Sequence, residues 1–279
     1  MSIRIVTDSS CDLPARLISE HDIVVVPLTV RIAGHEYEEG IDITPEEFFA
    51  KMKAATELPK TSQPNPQAFL HAFERSLEKI GEAAEVLCIT LSSQLSGTFQ
   101  SAKIAQRQFK GKATIFDSLS GTLGLGFLVL EARRLVDAAH SMAEILERLH
   151  GLRERLSILV SLDTLENAVK GGRVKRVHAA VAQVLRLKIL VRVVKGRVEV
   201  YDRVRGCQQA INSFLDSMAA KSLDFKDRLI GITHVNNEKD AHKLAEAVER
   251  RFSPREIVIA PMGSTIATYA GSGAIALIF

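Results

Sequence analysis

The chain has 279 residues, of which 46% are hydrophobic and 25% are charged, and its formal net charge is +3 at pH 7. This is the composition of a soluble globular protein with one large or two ordinary domains. Its three cysteines lie far apart without a CxxC pair, which excludes a disulfide scaffold and favours a reducing, cytoplasmic environment. The start of the chain lacks the charged and apolar regions of a signal peptide.

The first half of the chain alternates predicted strands and helices. The strand-like runs read IRIVT, IVVVPLTVRI, EVLCIT and ATIFDS. Helices are predicted to begin near Asp12, Thr44, Asn65, Gly97 and Gly121, with Asp12 as an N-cap. The letters TPEE from Thr44 have capping-box spacing, with proline at the first helical position. This alternation indicates βαβ units and a largely parallel sheet.

The second half has a different pattern. The run KILVRVVKGRVEVYDRVR places two β-rich segments around Lys195-Gly196, which predicts a hairpin. A strand in RLIGITHV, a helix over EKDAHKLAEAVERRF and a strand in EIVIAP follow. The stretch 257–279 is uncharged and long enough to span a bilayer, but its proline, glycines and hydroxyls favour buried strand, polar loop and buried strand. We therefore predict no membrane span.

These patterns predict an α/β fold with two domains. Residues 1–154 form a mainly parallel βαβ sheet, and residues 155–279 form an α+β domain with antiparallel strands. The boundary follows the amphipathic segment MAEILERLHGLRERL. Because clefts between domains often hold ligands, we expect the ligand cleft between the two domains.

The segment TLSSQLSGTFQ (residues 90–100) places hydroxyls and a glycine where a strand is followed by a helix. Backbone N–H groups at such a helix start can bind an anion. The loop lacks the GxxxxGK[ST] pattern, and no Lys or Arg lies between Lys79 and Lys103. It therefore suits a carboxylate better than a polyphosphate. The alternative is that Ser96 simply N-caps the helix.

Three further polar segments, TDSS, TSQP and FDSLSGTLGLG, also lie between predicted elements. The first begins at Thr7, the second at Thr61. All four polar loops could meet at the carboxyl ends of parallel strands, where open α/β sheets bind ligands. The alternative for Thr61-Ser62 is a helix cap. The glycines of the third segment do not fit GxGxxG, so we predict that they let a helix pack closely on the sheet.

Motifs for metal and cofactor chemistry are missing from the sequence. There is no HxH, HExxH or zinc spacing of Cys and His, and no GxSxG nucleophile elbow. We predict no metal and no cofactor.

Positive charge is concentrated between Lys170 and Arg205. This stretch contains eleven Lys and Arg residues, and its acidic residues are Glu199 and Asp202 alone. Gly171-Gly172 permits an unusual turn that would project Arg173. The zone is open to four interpretations: a solvated face, nucleic-acid binding, docking of an acidic protein, or binding of a phosphorylated ligand. Aromatic residues that could stack on bases are nearly absent from it, which disfavours nucleic acid.

Taken together, the chain resembles the DegV family over almost its whole length. The matching segments are IVTDSSCDLP, KTSQPNPQAF, LSSQLSGTFQSA, FDSLSGTLGLG, KGGRVKR, RVRG and YAGSGAIALIF. The resemblance implies a two-domain α/β protein that binds one long-chain fatty acid between its domains. It further implies a bacterial, cytoplasmic, non-catalytic subunit that presents the carboxylate to a separate ATP-binding fatty acid kinase subunit.

The same resemblance implies the site residues. The ligand-binding set is Thr61, Ser62, Ser96, Gly97, Thr98 and Tyr269. By the same match, Arg173 and Arg205 would face the kinase or the developing phosphate.

The C-terminal motif departs from the family pattern, because Tyr269 replaces the usual histidine. A tyrosine can donate a hydrogen bond, but it does not become cationic near neutral pH. The departure bears on phosphoryl transfer more than on fatty acid binding. The alternative function is a hydrolase that acts on an acyl ester or acyl phosphate in the same cleft, for which Ser96 would need a general base.

Overall fold

The computed structural model describes residues 3–78, 84–174 and 187–279. The strands in these ranges are β1 (Ile3–Asp8), β2 (Val24–Val26), β3 (Thr29–Ile32), β4 (His35–Glu38), β5 (Lys60–Ser62), β6 (Glu85–Thr90), β7 (Lys112–Asp117), β8 (Ile158–Leu162), β9 (Leu187–Val194), β10 (Arg197–Arg205), β11 (Leu229–His234), β12 (Glu256–Pro261) and β13 (Ile275–Ile278). The helices are α1 (Ala15–Glu20), α2 (Pro45–Ala54), α3 (Pro66–Glu78), α4 (Thr98–Gln108), α5 (Thr122–Asp137), α6 (Met142–Arg155), α7 (Glu166–Lys170), α8 (Gly206–Ala219), α9 (Glu238–Phe252) and α10 (Ser264–Ala270).

The strands form three sheets. The first is parallel, in the order β2–β1–β6–β7. The second has six strands in the order β10–β9–β8–β13–β11–β12, and only β11 and β12 are parallel neighbours. The third is a small antiparallel sheet in the order β4–β3–β5. The predicted α/β class, with a parallel first sheet and antiparallel pairs in the second half, is confirmed. The domain division at residues 154 and 155 stays a prediction.

Helix α5 is packed between the two large sheets and joins their cores. Leu123, Leu125 and Leu128 are fully buried in a cluster that also contains residues of both sheets. A Cβ at Gly126 would lie 2.8 Å from the carbonyl oxygen of Cys11. A Cβ at Gly124 would overlap the hydroxyl of Ser120. The structure thus agrees with the prediction that these glycines let the helix pack closely.

Local predictions near the helix starts can be compared with the structure. The capping box at Thr44 is confirmed, since its hydroxyl accepts a hydrogen bond from the Glu47 amide and the Glu47 carboxylate accepts one from the Thr44 amide. The prediction that Asp12 caps α1 is wrong. Asp12 has left-handed backbone angles (φ 51°), and its carboxylate instead accepts a hydrogen bond from the distant Gly263 amide at 3.0 Å. Tertiary contact therefore overrides the local capping signal.

The C-terminal stretch contains more structure than the sequence indicated. Its two buried strands, β12 and β13, are where they were expected, but the predicted polar loop between them is wrong, because helix α10 occupies it. Ser264, Thr265 and Thr268 have weak helix propensity, so packing decides their conformation. In the described part of the chain, none of the helices has the length and apolar character needed to cross a bilayer.

Candidate ligand-binding site

An apolar cavity of about 120 Å³ lies between the loops at the carboxyl edge of the parallel sheet and one face of the six-stranded sheet. Successive side chains of a strand point to opposite faces, so alternate residues form this wall. In register, Val160 pairs with both Val191 and Ala276. The full sheet wall is Ile158, Val160, Leu162, Val191, Val193, Val198 and Ala276.

Polar side chains also line this cavity, and they come from separate elements. Thr61 comes from β5, Ser96 from the loop before α4 and Tyr269 from α10. The hydroxyls of Thr61 and Tyr269 are 2.8 Å apart and share a hydrogen bond. The guanidinium of Arg173 lies 4.4 Å from the centre of the Tyr269 ring. A group of hydrogen-bond donors therefore meets a wall of aliphatic side chains.

Arg173 is held in place by backbone oxygens rather than by an acid. Its Nε donates to the Leu95 carbonyl at 3.1 Å and its Nη1 donates to the Gly171 carbonyl at 2.7 Å. Within the described residues it has no carboxylate partner. A half-buried guanidinium without a counter-ion favours an anionic ligand, because burial weakens its hydration.

The two glycines before Arg173 allow this arrangement in different ways. Gly172 adopts a positive φ of 76°, which side-chain-bearing residues rarely adopt. Gly171 has an ordinary backbone conformation, but a Cβ there would overlap the ring of Tyr269. The predicted unusual turn is present, and it directs Arg173 into the cavity.

The hydroxyl loop after β6 is held by carboxylates at two strand ends. Asp8 of β1 accepts a hydrogen bond from the Leu91 amide at 2.7 Å, and Asp117 of β7 accepts one from the Ser93 amide at 3.1 Å. Further along the loop, the Ser96 hydroxyl pairs with the Thr98 hydroxyl at 2.9 Å. Parallel strands end at the same edge, so these contacts follow from the topology.

The start of α10 is held in a similar way by two buried carboxylates. Glu39 accepts hydrogen bonds from the amide and the hydroxyl of Thr265, at 2.7 and 2.9 Å. Asp12 accepts from the Gly263 amide, which lies at the N-cap of α10. Burial raises the pKa of Glu39, and burial together with the charge of Glu39 raises the pKa of Asp12. Burial likewise raises the pKa of Asp8 to about 6.

The structure brings together only part of the predicted site set. Thr61, Ser96 and Tyr269 line the cavity, while Gly97 and Thr98 are not among its lining residues. Gln63 covers Gly97, and Thr98 is fully buried. The structure does not place Ser62 in the cavity. Successive side chains of a strand point to opposite faces, so Ser62 is exposed on the face of β5 opposite to Thr61.

The two arginines predicted to face a partner separate in the structure. Arg173 lines the cavity beside the hydroxyls, whereas Arg205 is exposed at the end of β10 and does not line it. Other basic residues of this zone, in 175–186, lie outside the described residues. Gly97 occupies the N-cap position of α4, and the hydroxyl of Ser96 accepts a long hydrogen bond of 3.4 Å from the amide of Thr98, the first helical residue. The alternative that Ser96 caps α4 is therefore supported in part, by this bond to the first helical amide and not by the N-cap position.

Sequence reasoning missed the residues that support the site. The carboxylates that hold the loops were not recognised as supports: Asp12 was predicted only as a helix cap, Asp117 lies in the segment FDSLSGTLGLG without an assigned role, and Glu39 carries no local motif. Asp8 was noticed as part of a polar loop, but its bond to Leu91 spans 83 residues of sequence. The valines of the cavity wall look like any other buried strand residues. The single available signal was strand alternation. It predicts which residues share one face of the sheet, but not what that face contacts.

The lining residues limit the chemistry of the site. None of the described residues that line the cavity is histidine, aspartate or glutamate, so Ser96 has no general base beside it. The hydroxyls of Thr122 and Thr265 are already paired with Thr233 and Glu39. The arrangement is suited to holding an anionic head group and an apolar chain.

Comparison with known proteins agrees with this geometry. A family model described as "Uncharacterised protein, DegV family COG1307" matches residues 2–279. The DegV domain-containing protein TTE1491 of Caldanaerobacter subterraneus subsp. tengcongensis is 34% identical over 278 residues, which cover 99% of this chain and 98% of the relative. The DegV domain-containing protein YejH of Lactococcus lactis is also 34% identical, over 280 residues that cover 99% and 98% of the two chains.

Solved structures match over the full chain as well. A DegV family protein from Thermus thermophilus, described by its fatty acid binding, is 32% identical with a TM-score of 0.92, and the match covers 100% of this chain and 99% of the other. The DegV protein of Bacillus subtilis, described as a fatty acid binding protein, is 27% identical with a TM-score of 0.89 and coverage of 100% and 98%.

Proposed function

Since the chain belongs to the DegV family, COG1307, we propose that it binds one long-chain fatty acid in the cavity between its two large sheets. One observation carries the proposal: the guanidinium of Arg173, which has no carboxylate partner among the described residues, and the hydroxyls of Thr61, Ser96 and Tyr269 line the same cavity as a wall of aliphatic side chains. The carboxylate would contact Arg173, Thr61, Ser96 and Tyr269. The acyl chain would lie along the valines of β8 and β9. The fatty acid binding described for the Thermus and Bacillus relatives supports this assignment.

Most of the affinity would come from the chain and most of the orientation from the head group. Each buried methylene contributes about 0.8 kcal/mol, so a long acyl chain outweighs the entropic cost of binding. A carboxylate that takes the guanidinium and hydroxyl donors fixes which end of the molecule faces them. A neutral head group of similar size would lose the charge-assisted part of these contacts.

Binding requires the lining to move. The cavity volume of about 120 Å³ is below the roughly 300–1,000 Å³ of typical small-molecule sites. Entry of an acyl chain therefore requires side chains on the two walls to move apart. The contacts that span the cleft, such as the hydrogen bond between Thr61 and Tyr269, are the ones that must adjust.

We further propose that the protein is a non-catalytic, cytoplasmic subunit that presents the carboxylate to a separate fatty acid kinase subunit. Thr61, Ser96 and Arg173 are half-buried rather than fully enclosed, which leaves a bound carboxylate within reach of a partner. The exposed Arg205 would contribute to docking of that partner. The hydrolase alternative finds no support, because the described lining of the cavity offers Ser96 no base.

The test is a titration of delipidated protein with palmitate and with hexadecanol, which has the same chain length but no carboxylate. The proposal expects one palmitate per chain and binding of palmitate roughly tenfold or more tighter than that of hexadecanol. Arg173→Gln should remove most of this difference while keeping affinity for the alcohol. If the protein takes up neither molecule, the fatty acid proposal is wrong. Equal affinity for palmitate and hexadecanol would contradict the proposal that Arg173 and the hydroxyls bind the carboxylate.

A further inference from the structure

A second concavity, larger than the acyl cavity, lies at the edge of the six-stranded sheet. Its volume is about 690 Å³, within the range of about 300–1,000 Å³ that is usual for small-molecule sites. It lies between the loop after β7, the end of α6, the β9–β10 hairpin and helix α8. It shares Ile158 and Val193 with the acyl cavity, so the two spaces are neighbours. We call it the basic groove, after its four cationic residues, Arg153, Arg192, Lys195 and Lys221.

The charges of the basic groove are not balanced. Against its four cations it contains one acidic side chain, Glu154. In the described part of the protein, Arg192, Lys195 and Lys221 make no ion pair and no side-chain hydrogen bond. Other cations of the same half are paired, for example Lys188 with Asp163. Like charges around a concave surface raise its positive potential and favour an anion there.

The two arginines of the groove are oriented by their neighbours. Nη1 of Arg153 donates to the Asp117 carbonyl at 2.8 Å, and its guanidinium lies 5.1 Å from the centre of the Phe116 ring. The guanidinium of Arg192 lies 5.9 Å from the centre of the Tyr201 ring. Planar guanidinium groups match the oxygens of phosphate in a bidentate manner. Ser157 adds a possible hydroxyl donor, whereas the hydroxyls of Ser118 and Ser217 already donate to the carbonyls of Ser120 and Ser213.

The remaining lining is apolar. Leu119, Leu156, Val193 and Phe279 line the groove together with the charged side chains. An inorganic ion would leave this surface bare, whereas an organic phosphate would cover it. The two aromatic residues of the groove, Tyr201 and Phe279, do not form the extended stacking surface that single-stranded nucleic acid requires.

We propose that the basic groove binds a phosphate-bearing small molecule with an apolar portion, at a site separate from the acyl cavity. Of the interpretations open for the basic zone, this one assigns Arg192 and Lys195 to a phosphorylated ligand. The site goes beyond fatty acid binding, since it uses none of the residues assigned to the carboxylate.

The probe is phenyl phosphate, which is too short to serve as an acyl chain, titrated by calorimetry into the protein as purified. We expect saturable binding to one site. The paired change Arg192→Gln with Lys221→Gln should weaken it at least about tenfold. The matched control, Arg107→Gln with Lys226→Gln, removes the same charge from exposed positions outside the groove and should change the affinity by less than about twofold. Palmitate uptake should be unchanged in both pairs, which separates this site from the acyl cavity.

Three results would overturn the proposal. The first is an absence of saturable phenyl phosphate binding up to about 10 mM. The second is equal weakening in the groove variant and the control variant, which would show that overall charge alone is responsible. The third is that vesicles containing phosphatidic acid, or a single-stranded oligonucleotide, bind through the groove while phenyl phosphate does not. Binding of the vesicles alone would assign the groove to a lipid surface, and binding of the oligonucleotide alone would assign it to nucleic acid.

Discussion

Tyr269 is central to the candidate site because it contacts two of the other polar residues. It shares a hydrogen bond with Thr61, carries the guanidinium of Arg173 on its ring and packs against the backbone of Gly171. A phenol is an uncharged group that can share a hydrogen bond through its hydroxyl while its ring stacks on the guanidinium. The ring therefore organises the donors without adding a charge.

Gly171→Ala should displace this ring. A Cβ at position 171 would overlap two ring carbons of Tyr269, although the backbone there is ordinary. We expect fatty acid affinity to fall by about tenfold or more, with a loss of stability of about 1–2 kcal/mol from overpacking. Calorimetric titration and urea unfolding measure the two effects.

The control is Gly151→Ala in helix α6, where the nearest atom to the new Cβ would be the flexible end of Arg155. That change should leave fatty acid affinity unaltered and stabilise the helix by up to about 1 kcal/mol. Unchanged affinity in Gly171→Ala would contradict the role given to the ring.

Asp8 links the site to pH. Its pKa is raised from an ordinary 3.8 to about 6 by burial, despite hydrogen bonds from Ser10 and Leu91, and the nearby charge of Glu39 adds to the effect. Below pH 4 the carboxyl is protonated in both the folded and the unfolded chain, so it contributes nothing to pH dependence. Between about pH 4 and 6 the folded chain binds more protons, and stability falls as pH rises.

Compared with Asp8→Asn, the wild-type chain should therefore lose about 2 kcal/mol in the free energy of unfolding as the pH rises from 4 to 7. Urea unfolding at a series of pH values measures this difference, and comparison with the variant cancels the titration of surface groups. The exposed Asp227→Asn serves as control and should follow the wild type. If the free energy of unfolding changed with pH equally in the wild type and in Asp8→Asn, the raised pKa of Asp8 would be contradicted.

At the scale of elements, the β9–β10 hairpin closes one side of the acyl cavity. Its turn residues Lys195 and Gly196 both have positive φ, as the sequence pattern predicts for a two-residue turn. The turn contacts the hydroxyl loop of the first half: the Ser92 hydroxyl donates to the Gly196 carbonyl at 2.8 Å, and Arg197 donates to the Gln94 side chain. Val193, just before the turn, lines the cavity.

Breaking the contact between Arg197 and Gln94 should let the hairpin move more readily. We expect Gln94→Ala and Arg197→Ala each to speed release of a bound fluorescent fatty acid about two- to fivefold. Together they should give no more than either change alone, because both remove the same bond. Stopped-flow transfer to acceptor vesicles measures the rate.

The control for this experiment is Arg203→Ala, which removes an exposed arginine from the same strand without touching the loop. Its release rate should equal that of the wild type. A double variant whose effect on the release rate is the full product of the two single effects would contradict the role given to the contact between Arg197 and Gln94.

Most elements could be predicted from the sequence, because alternation and capping are local. The hairpin at Lys195-Gly196 and the capping box at Thr44 are examples. Helix α10 could not be predicted, since it depends on two carboxylates from distant segments that bind its first amides. For the same reason Asp12 was misread as a local cap. The inward position of Arg173 depends on a tertiary contact with Tyr269 that no sequence window contains.

At the scale of the whole molecule, the site is made by the packing of two halves. Ser96 comes from the first half, Arg173 and Tyr269 come from the second, and the cavity lies where the halves meet. Sequence patterns could predict that a cleft exists and which loops reach it. They could not predict the size of the cavity or which aliphatic residues face it, because both depend on how the sheets pack around α5.

The central claim is that this cavity holds one fatty acid. It is tested most directly by native mass spectrometry of the purified protein before and after extraction with organic solvent, followed by addition of palmitate to the extracted chain. The account predicts a mass increment of one fatty acid per chain that extraction removes and palmitate restores. A chain that carries no such molecule, and takes up none when it is offered, would contradict the account.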